Sequence, residues 1–264
     1  MKRTVNSPIQ RREILRGTLA LGVLGWLQGC ASRPGGKAHV LWPDQEPRSA
    51  TSVAAGPTPW SVSPEPSIPA GPGPRPTATG YYALPSNVIP RREWTNQGII
   101  MSRLTSNGQD GKMGRISRIT IHHDAMESGA IRSRGDAMKR MQTIRTGHIS
   151  RPGEPFADIG YHFAIDPQGR IWEGRPLAYQ GAHVKGQNEN NLGIVLMGNF
   201  DAQRPSATSI GTLDAFVVQQ MQRYGISITN VRTHQEMAPT ACPGRNLQRY
   251  LMASRSRGGN IARA

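Results

Sequence analysis

Ser117-Arg-Ile-Thr-Ile-His-His123 places isoleucine at alternate positions and reads as a strand that ends in two adjacent histidines. Side chains on a strand alternate between faces, so only one of these imidazoles can easily join any given site. More than a hundred residues later, a second short stretch, Ile228 to Arg232, reads as a strand that delivers His234-Gln-Glu-Met-Ala-Pro-Thr-Ala-Cys242. Two imidazoles and one thiolate make a three-ligand set, which leaves zinc a fourth position for water or substrate, as catalytic zinc requires. A structural zinc site would ordinarily take four protein ligands, and no second cysteine lies nearby. The pattern points to metal-assisted hydrolysis rather than to a zinc-stapled binding module.

The segments around these two stretches complete an α/β pattern. Arg134 to about Gly147 reads as a helix, with Met138, Met141 and Ile144 spaced to share a face. Tyr161-His-Phe-Ala-Ile165, the turn Asp166-Pro-Gln-Gly169 and Arg170 to Gly174 read as a β-hairpin. Leu192 to Met197 is a continuous apolar run suited to a central strand. Leu213, Phe216, Val217, Met221 and Tyr224 fit one face of a second long helix, and Arg245 to Leu251 a short final one. The expected fold is a single mixed β-sheet flanked by helices, in a domain spanning residues 88–252. A loose basic tail is expected over 253–264.

Upstream of the domain the composition changes. Only 36% of the 264 residues are hydrophobic, and the chain holds 30 Gly and 21 Pro, too little apolar material for a uniformly packed chain of this length. Residues 30–87 are rich in Pro, Ser, Ala and Gly and read as a semi-extended tether. Trp42, Trp60, Tyr81 and Tyr82 are its large side chains; Tyr81 and Tyr82 are close enough to touch the domain, and His39 has no assigned role. Residues 1–29 read as an export signal, with Arg11, Arg12 and Arg16 before the apolar run Gly17 to Leu27. That run is too short to cross a membrane, which takes about 20 residues. Gln10-Arg-Arg-Glu-Ile-Leu15 resembles a twin-arginine signal, and Leu27-Gln-Gly-Cys30 resembles a bacterial lipoprotein box with Cys30 as the lipidated residue. With Cys30 assigned to lipid and Cys242 to metal, neither of the two cysteines is left for a disulfide.

The formal net charge is +15, and removing residues 1–29, with five basic and one acidic side chain, leaves +11. An exported cationic protein suits the polyanionic polymers of a cell envelope, and nucleic acid is not an expected partner there. The expected location is the cell envelope, anchored by lipid on Cys30, with the outer membrane favoured because Ala31 and Ser32 carry no acidic retention signal.

The order of short motifs then becomes specific. Pro90-Arg-Arg-Glu-Trp94, Ile121-His-His123, Asp158-Ile-Gly-Tyr-His-Phe163, Trp172-Glu-Gly-Arg175, Gly181-Ala-His183, Asn188, Leu192-Gly-Ile194, Gly198-Asn-Phe200 and His234 to Cys242 follow one another. Together they resemble the zinc-dependent N-acetylmuramoyl-L-alanine amidases of the type 2 family, which includes phage lysozyme-type amidases and animal peptidoglycan recognition proteins. The resemblance covers roughly residues 88–250. It implies the peptidoglycan recognition protein-like amidase fold, one zinc ion per chain held by His122, His234 and Cys242, and action on peptidoglycan as a monomer. It selects His122 over His123 as the ligand.

The same resemblance assigns Tyr161 as a donor to the tetrahedral oxyanion and Thr240 as a second one, in a position that is lysine in phage-type enzymes. Val195 stands where some relatives acting on cell-wall turnover fragments carry a glutamate base. His183 and Lys185 are expected to line the substrate groove, with Asn188 and His148 also on the substrate side. Asp158 is expected to brace the turn that follows it, and His162 to point away from Tyr161 in a structural role. Two rival functions remain at this level, a peptidoglycan-binding receptor that does not cleave and an amidase restricted to soluble anhydromuropeptides. Retention of Cys242 and Tyr161 argues against the first, and Cys242, Val195 and the tether against the second.

Overall fold

The computed structural model describes residues 80–104 and 111–263. The export signal, Cys30 and most of the tether lie outside them. Six strands are present among the described residues: β1 (Val88–Ile89), β2 (Arg118–His123), β3 (Phe163–Ile165), β4 (Ile171–Glu173), β5 (Asn191–Leu196) and β6 (Val231–Thr233). They form one sheet in the order β1-β4-β3-β5-β2-β6, parallel except for the β3–β4 hairpin. The long central pair β2–β5 holds His122 opposite Val195.

Three helices cover the sheet. Helix α1 (Arg134–Ile149) starts where Ser133 and Asp136 cap each other, the Ser133 hydroxyl accepting from the Asp136 amide and the Asp136 carboxylate accepting from the Ser133 amide. Helix α2 (Ala207–Tyr224) is capped by the Ser206 hydroxyl, which accepts from the Ser209 amide at 3.0 Å. Helix α3 is Arg245–Arg255.

Alternation along the strands sorts their side chains onto two faces. Ile119, Ile121, Phe163, Ile165, Ile171, Leu192, Ile194 and Leu196 pack with Leu213, Phe216 and Val217 of α2 and Leu247 and Leu251 of α3. The other face places Ala164, Trp172, Val195 and Met197 against Ala137, Met141 and Ile144 of α1, with Trp94 and Tyr161 in the same cluster. The result is a helix–sheet–helix sandwich, an α/β domain with a mixed sheet as expected. No helix among the described residues is long and apolar enough to cross a membrane.

Three boundaries differ from the sequence expectation. Ile228–Asn230 is a 3-10 turn, and the strand starts only at Val231. The stretch 80–87, assigned to the tether, is docked: the Ile116 amide donates to the Tyr81 hydroxyl at 2.7 Å, and Arg223 donates to the Gly80 carbonyl at 2.9 Å. The tail from 253 is also not loose. Helix α3 continues to Arg255, Ile261 is buried in the core, and Asn260 donates to Asp214 at 2.9 Å. Single aromatic or apolar anchors in polar stretches bring both segments down, and composition averaged over a window hides them.

Candidate functional site

His122 is the penultimate residue of β2, on the α1 side of the sheet, and His234 opens the 3-10 turn that directly follows β6, the neighbouring parallel strand. Parallel strands that end side by side bring residues distant in sequence to one rim, the usual place for a site in an α/β sheet. Cys242 arrives on the loop before α3, tied to the His234 turn by the Gln235 amide, which donates to the Cys242 carbonyl at 2.8 Å. Ligand atoms of His122, His234 and Cys242 all lie within 4.8 Å of one another, and all three residues are buried. His123 faces the other way, its ring 6.1 Å from that of Phe200 and its Nδ1 accepting from the Phe200 amide at 3.3 Å.

The donor set fits a zinc ion. His234 Nδ1 is buried and has no hydrogen-bond partner among the described residues, a costly state for a polar atom unless something else binds it. The Cys242 sulfur lies 3.5 Å from His122 Nδ1 and accepts from the His123 amide at 3.4 Å. Soft sulfur with two imidazoles is a zinc-type set that leaves one coordination position open.

Tyr161 precedes β3 and is buried against the cluster, its ring centroid 5.0 Å from that of His122 and 5.5 Å from that of His148. The loop that carries it is held by Asp158, whose carboxylate accepts from Arg145 of α1 at 2.7 Å and pairs with Arg91 at 2.8 Å. The Thr240 hydroxyl accepts from the Cys242 amide at 3.2 Å, which leaves its own proton to donate elsewhere. Val195 is fully buried among apolar side chains, so β5 offers no titratable base beside His122.

The residues expected on the substrate side divide. His183 is not on a groove surface: it is buried, with Nδ1 3.1 Å from His122 Nε2 and Nε2 3.1 Å from the Asn191 carbonyl oxygen. Asn188 is committed to its own loop, its side-chain oxygen accepting from the His183 and Val184 amides at 2.8 Å each. His148, at the end of α1, accepts from the Gly160 amide at 3.0 Å and braces the approach to Tyr161. Lys185 alone is well exposed, 3.9 Å from the Glu154 carboxylate. His162 points away from Tyr161, its Nδ1 accepting from the Gly193 amide at 3.0 Å and its Nε2 3.1 Å from the Tyr179 carbonyl. Burial pushes His162 down to about 3 and His183 well below the ordinary imidazole range, so both rings are neutral. The buried place of His183 was missed because a Gly-Ala-His segment looks like a surface loop; the available signal was the pair of glycines, Gly181 and Gly193, that leave room for a ring.

The family model for N-acetylmuramoyl-L-alanine amidase matches residues 112–245. Peptidoglycan-recognition protein SD of Drosophila simulans is 26% identical over 161 residues, covering 61% of this chain and 81% of that protein. The endolysin of Escherichia phage T7 is 35% identical over 99 residues, covering 35% of this chain and 64% of the endolysin. The solved structure of peptidoglycan recognition protein LE, in complex with tracheal cytotoxin, aligns with a TM-score of 0.55 at 27% identity, covering 63% of this chain and 93% of that one.

Proposed function

This chain belongs to the N-acetylmuramoyl-L-alanine amidase family, and from that premise we propose that it hydrolyses the amide between the lactyl group of N-acetylmuramic acid and L-alanine in peptidoglycan. The observation that carries the reading is the buried triad His122, His234 and Cys242, with an unsatisfied His234 Nδ1 turned to no protein partner among the described residues. These three residues would hold one zinc ion. The chemistry it supplies when bound is polarisation of the scissile carbonyl and a lowered pKa for the attacking water.

The protein's own groups do the rest. Tyr161, on the rim beside His122, donates its phenolic proton to the oxyanion that develops on the carbonyl oxygen. Thr240 donates from the loop before α3, its oxygen fixed by the Cys242 amide. Val195, Met197 and Trp94 exclude bulk water behind Tyr161, which strengthens those donors. With valine in register opposite His122, β5 brings no carboxylate into the proton transfers.

The wider setting belongs to the same proposal: export through residues 1–29, lipid on Cys30, and a tether that lets a monomeric domain reach peptidoglycan from a membrane. Cys30 would show itself by incorporation of labelled fatty acid that a Cys30→Ser chain lacks. Function is tested by digesting purified peptidoglycan with zinc-loaded wild type and with His122→Ala. Mass spectrometry should find free stem peptides with new L-alanine amino termini for wild type alone. Equal release by His122→Ala would overturn the metal reading, and binding without release by wild type would establish a receptor instead.

A further inference from the structure

The buried ring of His183 occupies a slot made for it. A Cβ added at Gly181 would lie 2.5 Å from His183 Cδ2, and one added at Gly193 would lie 2.6 Å from the same atom. Both positions must be glycine for the imidazole to pass between these backbones. The loop that carries the ring is pinned by Asn188, and the Gly193 wall is pinned by His162 from behind. A side chain held on every side in this way has one orientation, so the roles of its two nitrogens can be read from their neighbours.

The Asn191 carbonyl, 3.1 Å from His183 Nε2, can only accept, so Nε2 carries the proton. A neutral imidazole has one N–H, which leaves His183 Nδ1 as an acceptor. The atom that faces it at 3.1 Å is His122 Nε2, which must therefore be the donor. That leaves the lone pair of His122 on Nδ1, the nitrogen 3.5 Å from the Cys242 sulfur. We infer that His183 is a positioning residue that sets the tautomer of His122, holding Nε2 protonated so that Nδ1 is presented to the metal site beside Cys242 and His234. The relay runs from the Asn191 carbonyl through two imidazoles to the ligand atom. It replaces the carboxylate or carbonyl that ordinarily orients a ligating histidine with a second, backbone-anchored imidazole.

The consequence for metal affinity rests on the zinc reading above, whereas the tautomer itself does not. Long-range ¹H–¹⁵N correlation spectra of the metal-free wild type should show His122 protonated at Nε2; a His122 protonated at Nδ1 overturns the inference. Zinc affinity by chelator competition supplies the second readout. His183→Leu should weaken binding by about 10–100-fold. His183→Asn, whose Oδ1 takes the place of Nδ1 as acceptor, should stay within about threefold of wild type. A folded His183→Leu that binds zinc as tightly as wild type overturns the relay. A wild type that binds no zinc overturns the preceding functional reading, and the ring-nitrogen spectrum still decides the tautomer.

Discussion

The two faces of the central sheet are built from the same strands and do opposite work. On β2 and β5 the residues Ile119, Ile121, Leu192, Ile194 and Leu196 turn to α2 and α3 and form an apolar layer. Their immediate neighbours Thr120, His122 and Gly193 turn to the other side, where His183, His162 and Asn191 are buried as well. Hydrocarbon on the first face stabilises the fold by leaving water. Every polar group on the second face must find a partner or lose free energy. A hydrogen-bonded histidine network meets that demand, and among the described residues one buried side-chain nitrogen, His234 Nδ1, has no protein partner. A one-residue slip of β2 would exchange the two faces, so the apolar layer fixes the register on which the site depends.

The comparison makes separable predictions. The largest effect is on the site face: Cys242→Ala should lower the rate of stem-peptide release by at least about 10³-fold, since the metal is asked for several kcal/mol of charge stabilisation. Metal analysis should show zinc lost from this variant, while chelator-treated wild type and Cys242→Ala should unfold at similar denaturant concentrations. Loss of the fold instead would mean that the two faces are not separable. Next, Phe216→Ala on the apolar face should cost about 3–5 kcal/mol, because Phe216 is buried and packs edge-on against Phe163 at 4.8 Å. Denaturant titration measures that loss, and the folded fraction should keep wild-type zinc affinity.

Tyr161→Phe should reduce kcat by roughly 10²-fold with little change in KM or zinc content, as removal of one oxyanion donor does. A change in KM alone would assign Tyr161 to substrate binding. The smallest effect is a pH dependence of stability in metal-free protein. His162 is held at about 3 by burial against an ordinary 6.5, so as pH falls through this window the unfolded chain takes up a proton that the native state refuses. Stability is therefore full above about pH 6.5 and declines below it, by up to about 1.4 kcal/mol per pH unit for each such imidazole. His183, lowered by burial as well, acts in the same direction. Asp124, raised by burial to about 6, opposes them between 3.8 and 6, where the native state keeps a proton that the unfolded chain has lost. Denaturant midpoints at pH 7 and 5.5 should differ less in His162→Asn than in wild type, and equal slopes would show that this ring is not neutral in the fold.

Much of this architecture is legible in the sequence. Strand β2 and helices α1 and α2 follow from periodicity, β5 from a continuous apolar run that is buried on both faces, and the hairpin from its turn residues. Residue type pointed to a histidine of the pair His122–His123 with His234 and Cys242, and the family resemblance selected His122, which the structure groups with the other two. Three things were not legible for a common reason. The sequence reading puts His183 on a substrate surface, residues 80–87 in the tether and Ile261 in a loose tail, and each is instead held by residues far away in sequence. Polar composition and turn residues report local preference, and they carry no information about a distant backbone that approaches closely enough to bury them.

By itself, then, the sequence determined the chemistry available and the elements that carry it: two histidines and a cysteine, a tyrosine before a strand, and strands with apolar side chains for a core. Only the tertiary structure decided which nitrogen of His122 looks at Cys242. That choice depends on a carbonyl of β5, two glycines that admit a ring, and an imidazole 61 residues away at 3.1 Å. Tautomers are set by hydrogen-bond partners in space, and no pattern along the chain specifies them.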